Sequence, residues 1–468
     1  MDEPSWAALA GSGELRWCGG SHAGMLEPVP VPGLAMLLFL LIPLALGNGR
    51  PDAIGSVDSA SHPIRCHWGR AQDEPRCDDL LVYLETAWDV QIDGMGFTAP
   101  PPDDGLGGSD DLDLYLTPDG GGAGVAWVMC DWADGGCIDT DPGDGKASAP
   151  SWIAIDAATP DDDLPSYSVH EFNHACQYAM DYAEPFLVVW EASAVAAEAW
   201  TWPDTQPSSD DIADYQATPW VSAVLQDGYM LWDDYGVWSY YEYGSVVWLW
   251  WLDHEYGDGT GSVAPELWAE MTQEGYGDEP DLLDAWDAIA GDWRSSFLEF
   301  TADRARMGSD EGPDWLAFAG ESGRVARERV DTPLPASIRP SYSPYPLGSV
   351  FWDVIVEPGT NIEVKVYDGP RVDWGLVIVE PGGGQAIKQG DYLIYGPVTA
   401  GEVTVGVVNL GPPDMDADDV LKKASFVVQM HSHKDCGCAS SGRPTPPHAL
   451  ALLTLLGLCA SRRRQEPT

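Results

Sequence analysis

Apolar residues in the first two thirds of the chain recur at intervals that predict a small sheet followed by helices. Residues 78–88 repeat apolar side chains at helical spacing, as do residues 185–200 and 243–254. Three short apolar runs of strand length are separated by Gly- and Asp-rich turns: 112–116, 125–129 and 152–155. A mostly helical region then persists to about residue 306.

The pattern changes between about residues 342 and 430, where Val, Ile and Tyr alternate with polar residues between Pro-Gly and Gly-Gly turns. About seven such runs occur there, with residues 350–356, 362–366 and 403–408 as clear examples. Short alternating strands at this density predict a β-sandwich. The fold class expected for the chain is therefore α+β, with an all-β C-terminal part.

An apolar run near the N-terminus, residues 34–47, has the properties of a signal peptide. The run is too short for a comfortable membrane span, and its end suits signal peptidase. Only Arg16 supplies a positive charge upstream, and Met25 or Met36 is an alternative start. We therefore expect the chain to be exported.

The C-terminus combines a Cys-Gly-Cys motif at 436–438, an apolar run at 449–460 and three arginines at 462–464. A buried C-terminal helix is one interpretation of a run of this length. The terminal arginines favour a membrane-retained sorting peptide, because a positive end is held on the cytoplasmic side.

Acidic residues dominate the chain, with 75 Asp and Glu against 23 Lys and Arg and a formal net charge of −52. Between Arg76 and Arg294 the only Lys or Arg is Lys146. Such a surface repels polyanions, so we expect no nucleic-acid partner and contact with a membrane only through the C-terminal anchor. The acidity favours bound cations and solubility in salt.

Nine cysteines fit an oxidising compartment. Short spacings favour the pairs Cys66–Cys77 and Cys130–Cys137, although spacing alone does not fix the connectivity. Cys176 would then be the odd thiol, and we expect it in the core rather than at a metal.

The most specific motif is HExxH at residues 170–174. Residues four apart share one face of a helix, so His170 and His174 can both reach one zinc ion. Glu171 can then act as the general base that deprotonates a metal-bound water. A hydrolytic zinc needs a third protein ligand, and the next predicted helix offers Glu191.

Two other acids compete with Glu191 for the third position. Glu184 is the weaker candidate, because it falls in the connecting turn. Glu198 lies two turns beyond Glu191 on the same face, where a supporting role is expected and ligation is the alternative. Gln177 and Met180 occupy the positions of the glycine and the third ligand in the metzincin motif HExxHxxGxxH, so that motif is absent.

Hydrolysis also needs a hydrogen-bond donor opposite the developing oxyanion. Four aromatic side chains before and within the Trp-rich helix are candidates: Tyr240, Tyr241, Tyr243 and His254. We prefer Tyr243, with packing in this aromatic segment as the alternative. Asn173 and Gln177 are candidates for orienting the ligands or lining the cleft.

Residues 139–145 alternate carboxylates with a Gly turn and resemble a calcium loop. Pro150 stands where an EF-hand needs its closing acid, so an EF-hand is excluded. An irregular Ca2+ site and an ordinary acidic turn remain as alternatives.

Residues 170–177 and 190–194 together resemble a family of secreted metalloproteases from myxobacteria. Further segments that share this resemblance are 87–89, 111–116 and 243–244. The resemblance covers roughly residues 78–257. It implies zinc on His170, His174 and Glu191, with Glu171 catalytic.

The C-terminal segment is similar to the MYXO-CTERM sorting signal. That resemblance implies processing near Cys436 and Cys438. It further implies display on the cell surface through a lipid-modified cysteine, or release after C-terminal processing.

The organisation that we predict is a signal peptide (1–47), a linker or pro-segment (48–77), a metallopeptidase domain (78–334), a β-sandwich domain (335–432) and a sorting signal (433–468). The function expected is that of an exported zinc-dependent endopeptidase with a gluzincin-like core, acting on peptides or proteins. A non-catalytic cell-surface adhesin is the alternative from another class. Hydrolysis of a non-peptide amide or ester would use the same residues.

Overall fold

The computed structural model describes residues 49–434 apart from 119–125, 134–135, 142, 144, 204–208, 236–238, 274–278, 309–311, 313–321, 368–370, 418 and 420. The predicted signal peptide lies outside the described residues. So does the predicted sorting signal beyond residue 434.

Seven strands lie in the first part of the described chain: β1 (Gly55–Asp58), β2 (Ile64–Trp68), β3 (Leu112–Thr117), β4 (Ala126–Cys130), β5 (Trp132–Ala133), β6 (Gly136–Cys137) and β7 (Ser151–Asp156). Five of them form one mixed sheet in the order β1-β2-β3-β7-β4. Strands β2, β3 and β7 are parallel, whereas β1 and β4 are antiparallel to their neighbours at the two edges. The three runs predicted as strands are β3, β4 and β7.

Residues 55–58 and 64–68, expected in a linker, form strands β1 and β2 instead. Strand β2 is short, and its Ile64 and Cys66 are fully buried. Its parallel pairing with β3 depends on a crossover through the helix that follows. Such a long-range pairing leaves little local signal in five residues.

Ten α-helices lie within the described ranges: α1 (Glu74–Ala87), α2 (Leu164–Met180), α3 (Leu187–Thr201), α4 (Ser209–Ala217), α5 (Gly228–Tyr235), α6 (Tyr241–Gly244), α7 (Val246–Tyr256), α8 (Val263–Glu270), α9 (Leu282–Ala290) and α10 (Trp293–Arg304). A π-helix at Trp88–Met95 continues α1. Helix α1 buries Leu80, Leu81 and Leu84, as its spacing predicts. Helix α2 packs against α1, α3 and the β4–β7 edge of the sheet.

Nine strands form the C-terminal part: β8 (Arg327–Val330), β9 (Ala336–Ile338), β10 (Gly348–Ile355), β11 (Asn361–Tyr367), β12 (Trp374–Val379), β13 (Gln385–Gln389), β14 (Tyr392–Tyr395), β15 (Glu402–Asn409) and β16 (Val427–His433). They form two sheets with the orders β13-β12-β15-β10-β8 and β14-β11-β16-β9. One apolar cluster contains residues of both sheets, such as Trp352 and Val364. The two sheets therefore pack face to face as a sandwich.

The outer face of the first sandwich sheet packs against the helical region. Leu298 of α10 packs directly on Gly375 of β12, where a Cβ would collide with the Cδ2 atom of Leu298. Phe351 and Val377 of the sandwich belong to the same apolar core as α10. The sandwich and the helical region thus share one core.

The predicted disulfides are confirmed. Cys66 is bonded to Cys77, and Cys130 to Cys137. Cys176 is a buried free thiol in the core, as expected. The pairs join β2 to α1 and β4 to β6, and disulfides of this kind are typical of proteins from oxidising compartments.

Within the described residues, no helix has both the length and the apolar character needed to cross a membrane.

Candidate metal centre

Two packed helices bring three metal-binding side chains to one point. His170 and His174 lie one turn apart on α2, and Glu191 comes from α3 after the turn at residues 181–186. Oε2 of Glu191 lies 3.1 Å from Nε2 of His170 and 3.6 Å from Nε2 of His174. The two Nε2 atoms are themselves 3.1 Å apart. Among the described residues these three donors form a group compact enough for one metal ion.

The chemistry of this donor set fits zinc. The outer ring nitrogens already have acceptors, because Nδ1 of His170 donates to Glu198 (2.7 Å) and Nδ1 of His174 donates to Gln177 (2.6 Å). Each neutral ring then directs an Nε2 lone pair toward the other, an arrangement that needs a cation between them. Ligands at about 2.0–2.1 Å in a tetrahedral site lie about 3.3 Å from one another, close to the separations here.

The pKa values of His170 and Glu191 in the metal-free site also indicate that a positive charge is favoured between these side chains. Burial disfavours a charged His170 ring, but hydrogen bonds to Glu191 and Glu198 outweigh burial and raise its pKa well above the usual value. Burial likewise disfavours a charged Glu191, yet hydrogen bonds from His170 and His174 lower the pKa of its carboxyl. In the metal-free site, a proton on His170 therefore supplies the positive charge that a bound metal ion would supply.

Glu171 lies beside the ligands with an unused oxygen. Its side chain is only 6% exposed, and Oε2 has no hydrogen-bond partner among the described residues. Burial raises the pKa of this carboxyl. A buried carboxylate with a free oxygen next to a metal site is suited to accept a proton.

Tyr243 is the aromatic candidate that the structure brings to this site. Its ring stacks on His170 with centroids 5.9 Å apart, and its phenol hydrogen-bonds to Glu191. The negative charge of Glu191, then burial, raise the pKa of the phenol, so it stays protonated as a donor. Tyr240 packs edge-on against Tyr243 and is half exposed.

The other two aromatic candidates have different surroundings. Tyr241 is fully buried and donates to the Ser222 carbonyl at 3.1 Å. His254 lies in the last turn of α7 and contacts Glu255 at 3.7 Å.

The competing acids do not join the group of three. Glu198 contacts the far side of His170 and also accepts a hydrogen bond from Ser166, so it supports the ring rather than facing Nε2. Glu184 is buried in the turn, where Oε1 accepts from the Phe186 amide. Asp181 is fully buried beside it and accepts from the amides of Ala183 and Gln273.

These two buried turn carboxyls predict a pH-dependent stability. Burial raises the pKa of Asp181 to about 7, and burial with repulsion from Asp181 and Asp281 raises that of Glu184 to about 8. Both pKa values exceed those of an unfolded chain, so the folded state holds these protons more tightly. Their stabilising contribution is complete below the unfolded pKa and is lost as the pH rises through about 7 to 8.

We expect Glu184→Gln to flatten this decline by up to about 1.4 kcal/mol per pH unit in the free energy of unfolding. Urea unfolding of metal-free protein from about pH 5 to about pH 9 measures the slope. The exposed Glu270→Gln on α8 is the control. Equal slopes for wild type and Glu184→Gln would contradict the prediction.

The predicted calcium loop is described only in part, because Pro142 and Asp144 lie outside the described residues. A different group of carboxylates, Glu279, Asp281 and Asp284, lies at the start of α9. Asp281 caps this helix through the amides of Leu283 and Asp284, which explains its position without a metal.

One polar residue near the site had no sequence signal. Gln91, in the π-helix before β3, is fully buried and accepts a hydrogen bond from Asn173 at 2.9 Å. Asn173 and Gln177 are also fully buried, and Gln177 contacts the outer nitrogen of His174, so they lie behind the candidate ligands rather than line an open cleft. A π-helix is frequent at functional sites, but its presence cannot be recognised from residue periodicity.

Comparison with known proteins adds little to this geometry. No family model matches the chain, and neither does any curated protein. Among solved structures, PliG of Aeromonas hydrophila, a periplasmic inhibitor of g-type lysozyme, has 13% identity and a TM-score of 0.18, covering 22% of this chain and 94% of that chain. A TM-score this low carries no argument about fold or function.

Proposed function

We propose that this chain is an exported zinc-dependent peptidase with its active centre between α2 and α3. The observation that carries the proposal is the convergence of His170, His174 and Glu191 beside Glu171, whose Oε2 is unpartnered. Buried polar groups are normally satisfied, so an unsatisfied carboxylate next to such a donor set favours catalysis over a purely structural site. His170, His174 and Glu191 would hold the ion.

The chain's own residues supply the proton transfers. A bound zinc ion would lower the pKa of a coordinated water toward about 7 and polarise the scissile carbonyl. Glu171 takes the proton of the attacking water and later returns it to the leaving nitrogen. Tyr243 donates its phenolic proton in a hydrogen bond to the developing oxyanion.

Strand β4 supports a peptide substrate. It is an edge strand of the mixed sheet, paired only with β7 among the described strands, and α2 packs against it. An extended peptide can add to such an edge through main-chain hydrogen bonds, which hold it without regard to side chains. This arrangement favours a peptide over a non-peptide amide or ester.

Export and surface display belong to the same proposal. The two disulfides favour an oxidising location, and the residues beyond 434 resemble a MYXO-CTERM signal. The gluzincin-like assignment rests on the order of HExxH and Glu191 along two helices.

Removal of zinc is the experiment that tests this function. We expect the purified chain to hydrolyse casein, 1,10-phenanthroline to abolish hydrolysis, and added Zn2+ to restore it. The reason is that His170, His174 and Glu191 would hold the ion that activates the attacking water. A chain that binds zinc but cleaves neither casein nor unfolded protein would instead favour the cell-surface adhesin.

A further inference from the structure

Three buried side-chain amides connect the π-helix Trp88–Met95 to His174, the proposed metal ligand on α2. Gln91, Asn173 and Gln177 are all fully buried. Nε2 of Gln91 donates to the Val169 carbonyl (3.0 Å), and Nδ2 of Asn173 donates to Oε1 of Gln91 (2.9 Å). Nε2 of Gln177 in turn donates to Oδ1 of Asn173 (2.7 Å). The chain ends at Oε1 of Gln177, which lies 2.6 Å from Nδ1 of His174.

The direction of these hydrogen bonds is fixed by groups that can only accept. The Val169 carbonyl requires the NH2 group of Gln91, so the oxygen of Gln91 must face Asn173. The same reasoning turns the oxygen of Asn173 toward Gln177. Reversing any one amide would bring two buried acceptors together, each losing its hydrogen bond at about 1–3 kcal/mol.

A second anchor imposes the same orientation on Gln177. Its NH2 group also lies 3.0 Å from the Trp190 carbonyl and 2.6 Å from Oγ of Ser193. Oγ of Ser193 uses its own proton on the Val189 carbonyl and accepts from Nε1 of Trp268. Only the oxygen of Gln177 is left for His174, which must therefore carry its proton on Nδ1.

The same contacts reach the helix of the third ligand. Trp190 and Ser193 flank Glu191 on α3, and both bind the NH2 group of Gln177. Gln177 thus holds the His174 ring with one end and the Glu191 segment with the other. His170 is held differently, by the carboxylate of Glu198.

We propose that Gln91, Asn173 and Gln177 form a directional amide relay that fixes His174 in its Nδ1-protonated tautomer before any metal binds. Gln91 is then a remote positioning residue, because it reaches the ligand only through two other amides. The consequence for metal affinity rests on the proposed function, in which Nε2 of His174 is a zinc ligand. The tautomer itself does not depend on that function.

Gln91→Met tests the relay, because methionine keeps the volume and removes both hydrogen bonds. Gln216→Met is the matched control, since Gln216 is an equally buried amide that binds Arg304 away from the site. We expect zinc affinity, measured by competition with a chromophoric chelator, to fall about 10–100-fold in Gln177→Met and by a smaller factor in Gln91→Met. Gln216→Met should lose stability without losing zinc affinity.

The tautomer gives a readout that a purely structural role would not change. In metal-free protein labelled with 15N-histidine, the ring nitrogens of His174 should show a proton on Nδ1 in the wild type and mixed tautomers in Gln177→Met, which removes the acceptor of that proton. A proton on Nε2 in the wild type would overturn the relay, even if Gln91→Met fails to fold. Unchanged zinc affinity in a folded Gln91→Met, or an unchanged tautomer in a folded Gln177→Met, would overturn it as well.

Failure of the proposed function would look different. If casein is not cleaved but the His174 tautomer responds to Gln177→Met, the relay holds and only the peptidase proposal is lost.

Discussion

Glu171→Gln is expected to lower kcat for casein hydrolysis by about 10²–10⁴-fold while zinc binding is retained. Glutamine has the same shape as glutamate but cannot accept the proton of the attacking water. The carboxyl that it replaces is buried with an unpartnered oxygen and a raised pKa, so a neutral amide relieves a desolvation cost. We therefore expect the thermal midpoint to stay the same or to rise.

Zinc content, kcat and thermal midpoint are measured on the same preparation. Glu270→Gln, an exposed glutamate of α8, should alter none of the three. Loss of zinc in Glu171→Gln would show that the residue holds the metal site together. Full activity with zinc bound would exclude Glu171 as the base.

Glu171→Gln is expected to lower activity without lowering stability, and both results follow from one cause. Interiors stabilise polar groups only through hydrogen bonds, and Oε2 of Glu171 has none within the described chain. A protein that keeps such a group at the expense of stability uses it for another purpose. The same reasoning does not apply to Glu198, whose two oxygens bind His170 and Ser166.

Local periodicity was sufficient to predict the two helices that carry the candidate metal ligands. HExxH places both imidazoles on one face of α2, and the helical run at 185–200 places Glu191 on a second helix that returns along the first. The observed start of that helix, Leu187, differs by two residues from the predicted one. The alternation at 350–356 and 403–408 likewise predicted β10 and β15.

Features that depend on long-range pairing could not be predicted in this way. Strand β8 has three charged residues followed by the buried Val330, and it joins the sandwich by pairing with β10. Gln91 belongs to the site only because the π-helix lies against α2, and no residue near it in sequence indicates that contact. Sequence patterns report which face of a segment is buried, whereas these features depend on which distant segment covers it.

The second large effect is on zinc affinity, and it tests which acid is the third metal ligand. We expect Glu198→Gln to reduce zinc affinity by about 10–100-fold. Glu191→Gln should reduce zinc affinity by a larger factor. The Glu191 carboxylate lies 3.1 and 3.6 Å from the two Nε2 atoms, whereas Glu198 contacts Nδ1 on the far side of His170. Loss of Glu191 removes a negative ligand, while loss of Glu198 weakens only the support of one ring.

Chelator competition with Zn2+ measures both variants, and Glu184→Gln is the matched control from the connecting turn. Its carboxylate binds the Phe186 amide, so zinc affinity should not change. A larger loss in Glu198→Gln than in Glu191→Gln would assign the metal to Glu198 and require His170 to turn its ring. Equal and small losses in both would mean that the two imidazoles bind zinc without either acid, which a hydrolytic site with three protein ligands does not allow.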